Sequence, residues 1–433
     1  MKILMAVFLM VLPSFAHPLD VQSFQLQNGL RVKLLENHQH PLIRLQLRVV
    51  WAPLSIRKTA APVESKGKVS NPSPMAQATL EPLSLGILDR CSVGHRSRAA
   101  FNRAVEERGL SLQLSGETDG PVWNLAGGSP EAESAFSLLA DVATRPIPEG
   151  SDLDAMKLHL MRKLHEQESQ ETARINFLRL LDRPDLALEP VTESSLGQAY
   201  IKDIQRYIML TLRPGRSVLV ISGDLNLSQA RQLAQVNFGT WNEGTERSDV
   251  AAAKVPKFEA GSNASTEALP HPTMIVPSER AETSIALPHR ASEPKQRAAL
   301  DLLGLWLPRH LGSDRCLIHH GAAQWRSLIL TTEGSEAFVR EALLAVKISG
   351  LNIKDLEQAK ALWIAGRRAL ALHPQEQLSF TSKETLLGAE PSEQEILAVD
   401  LATFNATLQS WLNLDSARVL VFGGSHKPAA KTE

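Results

Sequence analysis

Three short segments of this chain return, in the same order, about half a chain later. Leu138-Leu139-Ala140 returns as Leu343-Leu344-Ala345. Asp152-Leu153-Asp154-Ala155-Met156-Lys157 returns as Asp355-Leu356-Glu357-Gln358-Ala359-Lys360. Val218-Leu219-Val220 with Gly223 returns as Val419-Leu420-Val421 with Gly424. The separations are 205, 203 and 201 residues, drifting in one direction as a duplicated unit with small deletions would. Such a duplication constrains the fold strongly, because each copy must build a core of its own. The unit reads as strands, then helices, then a closing strand. This predicts an α+β fold made twice, each copy a largely antiparallel sheet with helices packed on one face.

Local patterns place the elements. Val21 to Leu26 alternates at period two, Asn28-Gly29 follows, and Leu30 to Leu35 alternates again, which predicts a hairpin turning at Asn28-Gly29. A further strand is expected through Ile43, Leu45, Leu47 and Val49. Residues 55–80, rich in Pro, Ser, Lys and Ala, read as an insertion. Ser97 to Arg108 is amphipathic and stops at Gly109. Ser129-Pro130-Glu131 has the hydroxyl N-cap, first-turn proline and early acid of a helix start. Ser151 is expected to cap a helix reaching about Thr172, and Ser217 to Ser222 reads as a strand ending at Gly223-Asp224. The chain divides into a leader (1–16), a first half (17–243), a linker (244–272), a second half (273–426) and a tail (427–433). The linker holds Gly244, Gly261, Ser262, Asn263, Ser265 and Pro270 without a period. The second half is shorter, mainly between Leu311 and Leu330.

The leader has the layout of a secretory signal: Lys2, an apolar run from Ile3 to Leu12, Pro13, then Ser14-Phe15-Ala16. That run is too short for a mature span, and no later run reaches the length a span needs, so export to the periplasm as a soluble chain is expected. The 46 basic and 47 acidic residues balance to a net charge of −1, which gives no support for nucleic-acid binding. Two cysteines, Cys91 and Cys316, follow no metal-ligand spacing; a bridge and two separate buried thiols both remain open. His319 and His320, with Asp314 and Cys316 nearby, are a candidate metal cluster, set against an exposed polar loop. Neighbours in a strand point to opposite faces, which weakens the cluster.

Taken in order, a set of stretches resembles the pitrilysin/insulinase-type zinc metallopeptidases, the family that includes processing-peptidase subunits. They are Phe24 to Val32, Arg96-Ser97, Asp119-Gly120, Leu138 to Val142, and Glu189-Pro190 with Thr192 to Leu196. Asp203-Ile204 then runs through Arg213-Pro214 to Gly223-Asp224, and Phe238-Gly239-Thr240-Trp241 follows. The resemblance covers most of residues 20–243 and, more faintly, 273–426. It implies two halves facing each other as a clamshell.

Active members carry His-x-x-Glu-His on a helix, where two histidines hold zinc and the glutamate activates water. The equivalent stretch here is expected between Pro82 and Gly94, which contains neither histidine nor glutamate. On the next helix, matching Lys157 to the family's lysine puts Arg162 or Lys163 where a further glutamate would ligate zinc. The family's substrate-holding tyrosine has no counterpart in the second half, since the two tyrosines are Tyr200 and Tyr207; Arg315 and Arg326 are the candidates for its arginine. The resemblance therefore implies no catalytic residue, no metal ligand and no cofactor, the zinc site being lost. The expected role is a peptidase-like subunit that pairs with an active peptidase chain, or forms a homodimer, or holds peptides. Two other readings stay open: an active zinc peptidase with a remodelled site around Cys316, His319 and His320, and a stand-alone periplasmic peptide-binding protein.

Overall fold

The structure is a computed structural model that describes residues 21–51, 74–117, 119–166, 174, 177, 178, 181, 191–241, 273–276, 282–290, 293–310, 316–320, 325–332, 336–370, 373–387, 391–414 and 417–422. The expected leader, linker and tail lie outside the described residues.

In the first half, β1 (Val21–Gln25), β2 (Arg31–Glu36) and β3 (Leu42–Val49) precede α1 (Pro74–Leu88), β4 (Ser92–Val93) and α2 (Arg98–Glu106). Strands β5 (Ser111–Glu117) and β6 (Gly120–Gly128) follow, then α3 (Ala132–Thr144), β7 (Pro146–Ile147), α4 (Gly150–Glu166), α5 (Glu193–Gly197), α6 (Ile201–Thr211), β8 (Ser217–Gly223) and α7 (Leu227–Phe238). The second half holds β9 (Thr273–Val276), β10 (Glu282–Arg290), α8 (Pro294–His310), β11 (Cys316–His320) and β12 (Trp325–Thr332). It ends with α9 (Glu336–Ser349), α10 (Ile353–Leu370), α11 (Pro374–Leu387), α12 (Glu393–Leu397), α13 (Leu401–Trp411) and β13 (Arg418–Phe422).

The two sheets repeat one another. The first has the order β1-β2-β8-β3-β6-β5, the second β9-β13-β10-β12-β11 when read from its β9 edge. Strand β2 runs parallel to β8, as β9 does to β13. Every other pairing in both sheets is antiparallel. Each repeated segment falls on matching elements: Leu138 and Leu343 on α3 and α9, Asp152 and Asp355 on α4 and α10, Val218 and Val419 on β8 and β13. The fold is thus α+β in two homologous halves, as the sequence repeat implies.

Each half buries residues against the other's sheet. Leu378 of α11, from the second half, is buried against Leu35, Val218 and Val220 of the first sheet. In return, Phe177 and Leu181 of the first half are buried against Ala286, Ile329 and Leu420 of the second sheet. Every residue of β8 is therefore buried, which is why its sequence is an unbroken apolar run and does not alternate.

Several local expectations are corrected. Residues 74–80 belong to α1, not to an insertion, and Thr79 and Leu80 are buried; residues 55–73 lie outside the described residues. The hairpin turns through five residues, Leu26 to Leu30, because Leu26 and Leu30 both sink into the core and end the alternation early. Gly29 takes a φ of 88°, and the Asn28 amide donates to the carbonyls of Phe238 and Trp241, tying the turn to the end of α7. Ser129 does not cap a helix: its hydroxyl donates to Asp224, and a 3₁₀ turn (Ser129–Glu131) leads into α3. Ser151 lies inside α4, whose start is held by Asp152 accepting from the Glu149 amide. Ser97, which the sequence reading gave only as the start of an amphipathic stretch, caps α2, accepting from the Ala100 amide.

Candidate functional site

The helix that would carry a zinc motif is α1. It begins earlier than the sequence suggests, so the stretch expected at Pro82 to Gly94 is only its second part, followed by a turn and β4. The earlier part adds one carboxylate, Glu81. In a His-x-x-Glu-His arrangement around Glu81 the histidines would stand at 78 and 82, and this chain has Ala78 and Pro82 there. Pro82 sits inside the helix, where it cannot donate a backbone hydrogen bond.

Glu81 is half-buried, and its Oε1 accepts from the Tyr207 hydroxyl of α6 at 3.3 Å. Tyr207 is buried and stacks on Trp51, with ring centroids 5.6 Å apart. Burial, then the nearby Glu81 charge, push the Tyr207 phenol well above its ordinary pKa. It therefore stays neutral and serves as a donor. Two residues before Glu81, Thr79 donates to the buried Ser195 hydroxyl at 2.9 Å. Met156 of α4 lies over Gly86, where a Cβ would come within 2.2 Å of its side chain. Arg162 and Lys163 are exposed on α4. Zinc takes three or four converging N, S or O donors. Helix α1 supplies one carboxylate, and among the described residues no three His, Cys, Asp or Glu side chains form a group able to hold a metal ion. The residues present do not fit a zinc ion, and no hydrolytic step follows from them.

The other candidate metal cluster changes character. Residues 316–320 form β11 at the edge of the second sheet and not a polar loop. His319 pairs with Ser327 and His320 with Arg326. The two histidines hold successive strand positions, which belong to opposite faces. Asp314 and Arg315 lie outside the described residues. Cys91 is a free, buried thiol, its pKa pushed up to about 11 chiefly by burial. Tyr200 is exposed, whereas Tyr207 is spent on Glu81.

A second charged cluster lies beneath α11. Arg48, on the polar face of β3, has no exposed side chain. It donates to Glu117 at 2.7 Å and to both oxygens of Asp119 at 3.1 Å. It also reaches Ser382 at 2.9 Å and Ser379 at 3.3 Å on α11. Lys383 of the same helix pairs with Glu117 at 2.7 Å. Burial opposes the charge on Glu117, yet Arg48 and Lys383 outweigh it and hold its carboxyl below the usual range. Asp119, almost wholly enclosed, is pushed up by burial against the pull of Arg48. The cluster is a clasp between the halves. The sequence signal for it was present, three polar residues (Arg44, Gln46, Arg48) alternating with the core face of β3, but such a face normally meets water.

A cavity of about 830 Å³ lies among α3, α6 and α7 of the first half. Ile208, Met209, Val236 and Trp241 supply its apolar wall, with Asp141 and Arg145 among its polar lining. Asp141 is already paired with Arg145 and lies 3.7 Å from Arg96.

No family profile and no curated protein sequence matches the chain. Solved structures do. A protease from Helicobacter pylori aligns over 93% of this chain and 99% of its own, with a TM-score of 0.71 and 13% identity. The inactive domain of an M16 peptidase from Pseudomonas fluorescens aligns over 94% and 99%, with a TM-score of 0.67 and 17% identity. The periplasmic protease PqqL from Escherichia coli aligns over 94% of this chain but 48% of its own, with a TM-score of 0.66 and 12% identity. No helix among the described residues is long and apolar enough to cross a membrane. The likeness at these identities is one of fold, and the fold of this chain is that of the M16-like peptidases, as the sequence resemblance implied.

Proposed function

We propose that this chain is an exported, catalytically silent peptidase-like subunit that pairs with an active peptidase chain in the periplasm and helps hold peptides. The observation that carries the reading is the pair Ala78 and Pro82 flanking Glu81 on α1. An imidazole is missing on both sides of the one carboxylate, and that carboxylate is occupied by the Tyr207 hydroxyl. Without a Lewis acid, water near neutrality is a poor nucleophile toward an amide. Two comparisons support the reading. A structure of similar fold is itself described as an inactive M16 domain. The stretch matched in PqqL is about half of that protein, so one chain of PqqL has room for two units of this size. Peptide would be held by main-chain pairing along a free sheet edge, with α1 as a wall and not as a catalyst.

The test is metal analysis of the purified protein together with cleavage of unstructured peptides, with and without a chelator. The expected result is well under one zinc per chain and no chelator-sensitive cleavage. Stoichiometric zinc with chelator-sensitive cleavage would favour a remodelled metal site around Cys316, His319 and His320. Peptide binding by a chain that stays monomeric in its native periplasm would favour a stand-alone peptide holder.

A further inference from the structure

The turn that leads into β8 has a counterpart in the second half with different side chains. In the first half Arg213 precedes a 3₁₀ turn (Pro214–Arg216), and the Arg216 amide closes it on the Arg213 carbonyl at 3.1 Å. In the second half the turn before β13 closes in the same way, the Ala417 amide donating to the Leu414 carbonyl at 3.3 Å. At the separation of 201 residues that relates Val218 to Val419, Arg213 and Arg216 correspond to Leu414 and Ala417. Ala417 is buried, and Leu414 packs against the second core. The turn therefore forms without arginine, and the two guanidiniums are not what closes it.

Residues three apart in a 3₁₀ turn eclipse one another, so Arg213 and Arg216 leave the turn on the same side. Both are partly buried. Burial, and then the charge of Arg213, hold the Arg216 pKa below its ordinary value, as expected of like charges drawn together away from water. Among the described residues neither guanidinium pairs with a carboxylate. The Arg213 Nε is buried without a partner. Arg216 donates to the Trp51 carbonyl at 3.5 Å, the outer limit of a hydrogen bond. Trp51 is stacked on Tyr207, so the two arginines lie beside that aromatic pair. A partly buried cation without a counter-charge keeps its desolvation cost, and a buried donor without an acceptor points to a group from outside the fold.

We propose that Arg213 and Arg216 together bind an oxyanion, a carboxylate or a phosphate, that bridges the two guanidiniums. A planar guanidinium presents parallel N–H donors to such a group, and two of them supply both the charge and the donors that it needs. The anion in turn offsets the repulsion between the arginines and takes up the unused donor. A free phosphate and the terminal carboxylate of a peptide share this chemistry. The second half cannot hold an anion at the matching place, because Leu414 and Ala417 offer neither charge nor side-chain donor. The inference stands apart from the pairing with a peptidase chain, and either can hold without the other.

The experiment follows melting of the full-length protein against inorganic phosphate, with sodium chloride at matched ionic strength as control. In parallel it measures binding of an unstructured peptide as the free acid and as the C-terminal amide. Both are repeated on Arg213→Leu with Arg216→Ala, which installs the residues that the second half carries at this turn, and on Arg216→Lys, which keeps the charge but not the fork. For the wild type, the expected result is a rise in melting temperature with phosphate beyond that with chloride, or binding of the free acid roughly 10-fold tighter than of the amide. The first outcome identifies phosphate as the source of the oxyanion, the second a peptide terminus. The double variant should lose the effect, Arg216→Lys should weaken it about 10-fold, and the double variant should melt in chloride at or above the wild-type temperature. No response of the wild type to either probe overturns the site, as does a response that persists in the double variant. A double variant that melts well below the wild type in chloride alone overturns it too, since the arginines would then serve the turn itself.

Discussion

The guanidinium of Arg48 meets two carboxylates, Glu117 and Asp119, and two hydroxyls, Ser379 and Ser382, with none of its side chain exposed. Removing it would leave Asp119 enclosed without its counter-charge. Breaking a buried pair from one side costs more than the pair contributes, because the remaining charge keeps its desolvation penalty. Arg48→Met is therefore expected to lower stability by about 3–5 kcal/mol in urea unfolding. A loss under 1 kcal/mol would mean that the clasp is not formed in solution. His38 offers a contrasting, exposed case. It bonds Asp224 at 2.7 Å and Glu36 at 2.8 Å, and these bonds, Asp224 first, raise its pKa above the ordinary 6.5. The stabilising contribution is thus full below about pH 6.5 and is lost as pH rises through the raised value. The stability gap between the wild type and His38→Ala should narrow above neutrality. An NMR titration showing His38 at or below its ordinary value would contradict this.

At the scale of elements, periodicity was legible in the sequence. The alternation of β3 puts Ile43, Leu45, Leu47 and Val49 in the core, and β8 spans the expected residues. Caps were not: Ser129 and Ser151 have the right side chain, but the first bonds Asp224 and the second lies inside α4. The start of α1 was not legible. Its first turns contain Pro74 and follow a stretch of Pro, Ser and Lys that reads as loop, and its hydrophobic face is set by tertiary packing of Leu80, Leu83 and Ile87. That shift of a few residues brought Glu81 into the candidate site. Short α5 and α12 are alike in detail. Each begins with a capping box, Thr192 with Ser195 and Ser392 with Glu395, so the duplication extends to side chains that the sequence repeat did not single out.

At the scale of the molecule, buried contacts running in both directions make each half depend on the other. A chain ending at residue 243 would carry Leu35, Val218 and Val220 without Leu378, and Arg48 without Ser379, Ser382 and the neighbouring Lys383. Such a chain is expected to aggregate and to melt without a cooperative transition, and to be recovered when residues 273–433 are co-expressed. A well-folded, cooperative monomer of the first half alone would refute that dependence.

The sequence by itself determined the duplication, the α+β class, several strand and helix positions, and the absence of histidine and glutamate between Pro82 and Gly94. The element positions are written in residues close along the chain, in periodicity and turn chemistry. Only the tertiary structure decided that the polar face of β3 is buried, that Tyr207 occupies Glu81, and that each half buries residues against the other's sheet. Arg48 and Ser382 are 334 residues apart, and nothing local to either marks the other as its partner. A polar stripe looks the same in sequence whether it will meet water or a helix from the far end of the chain.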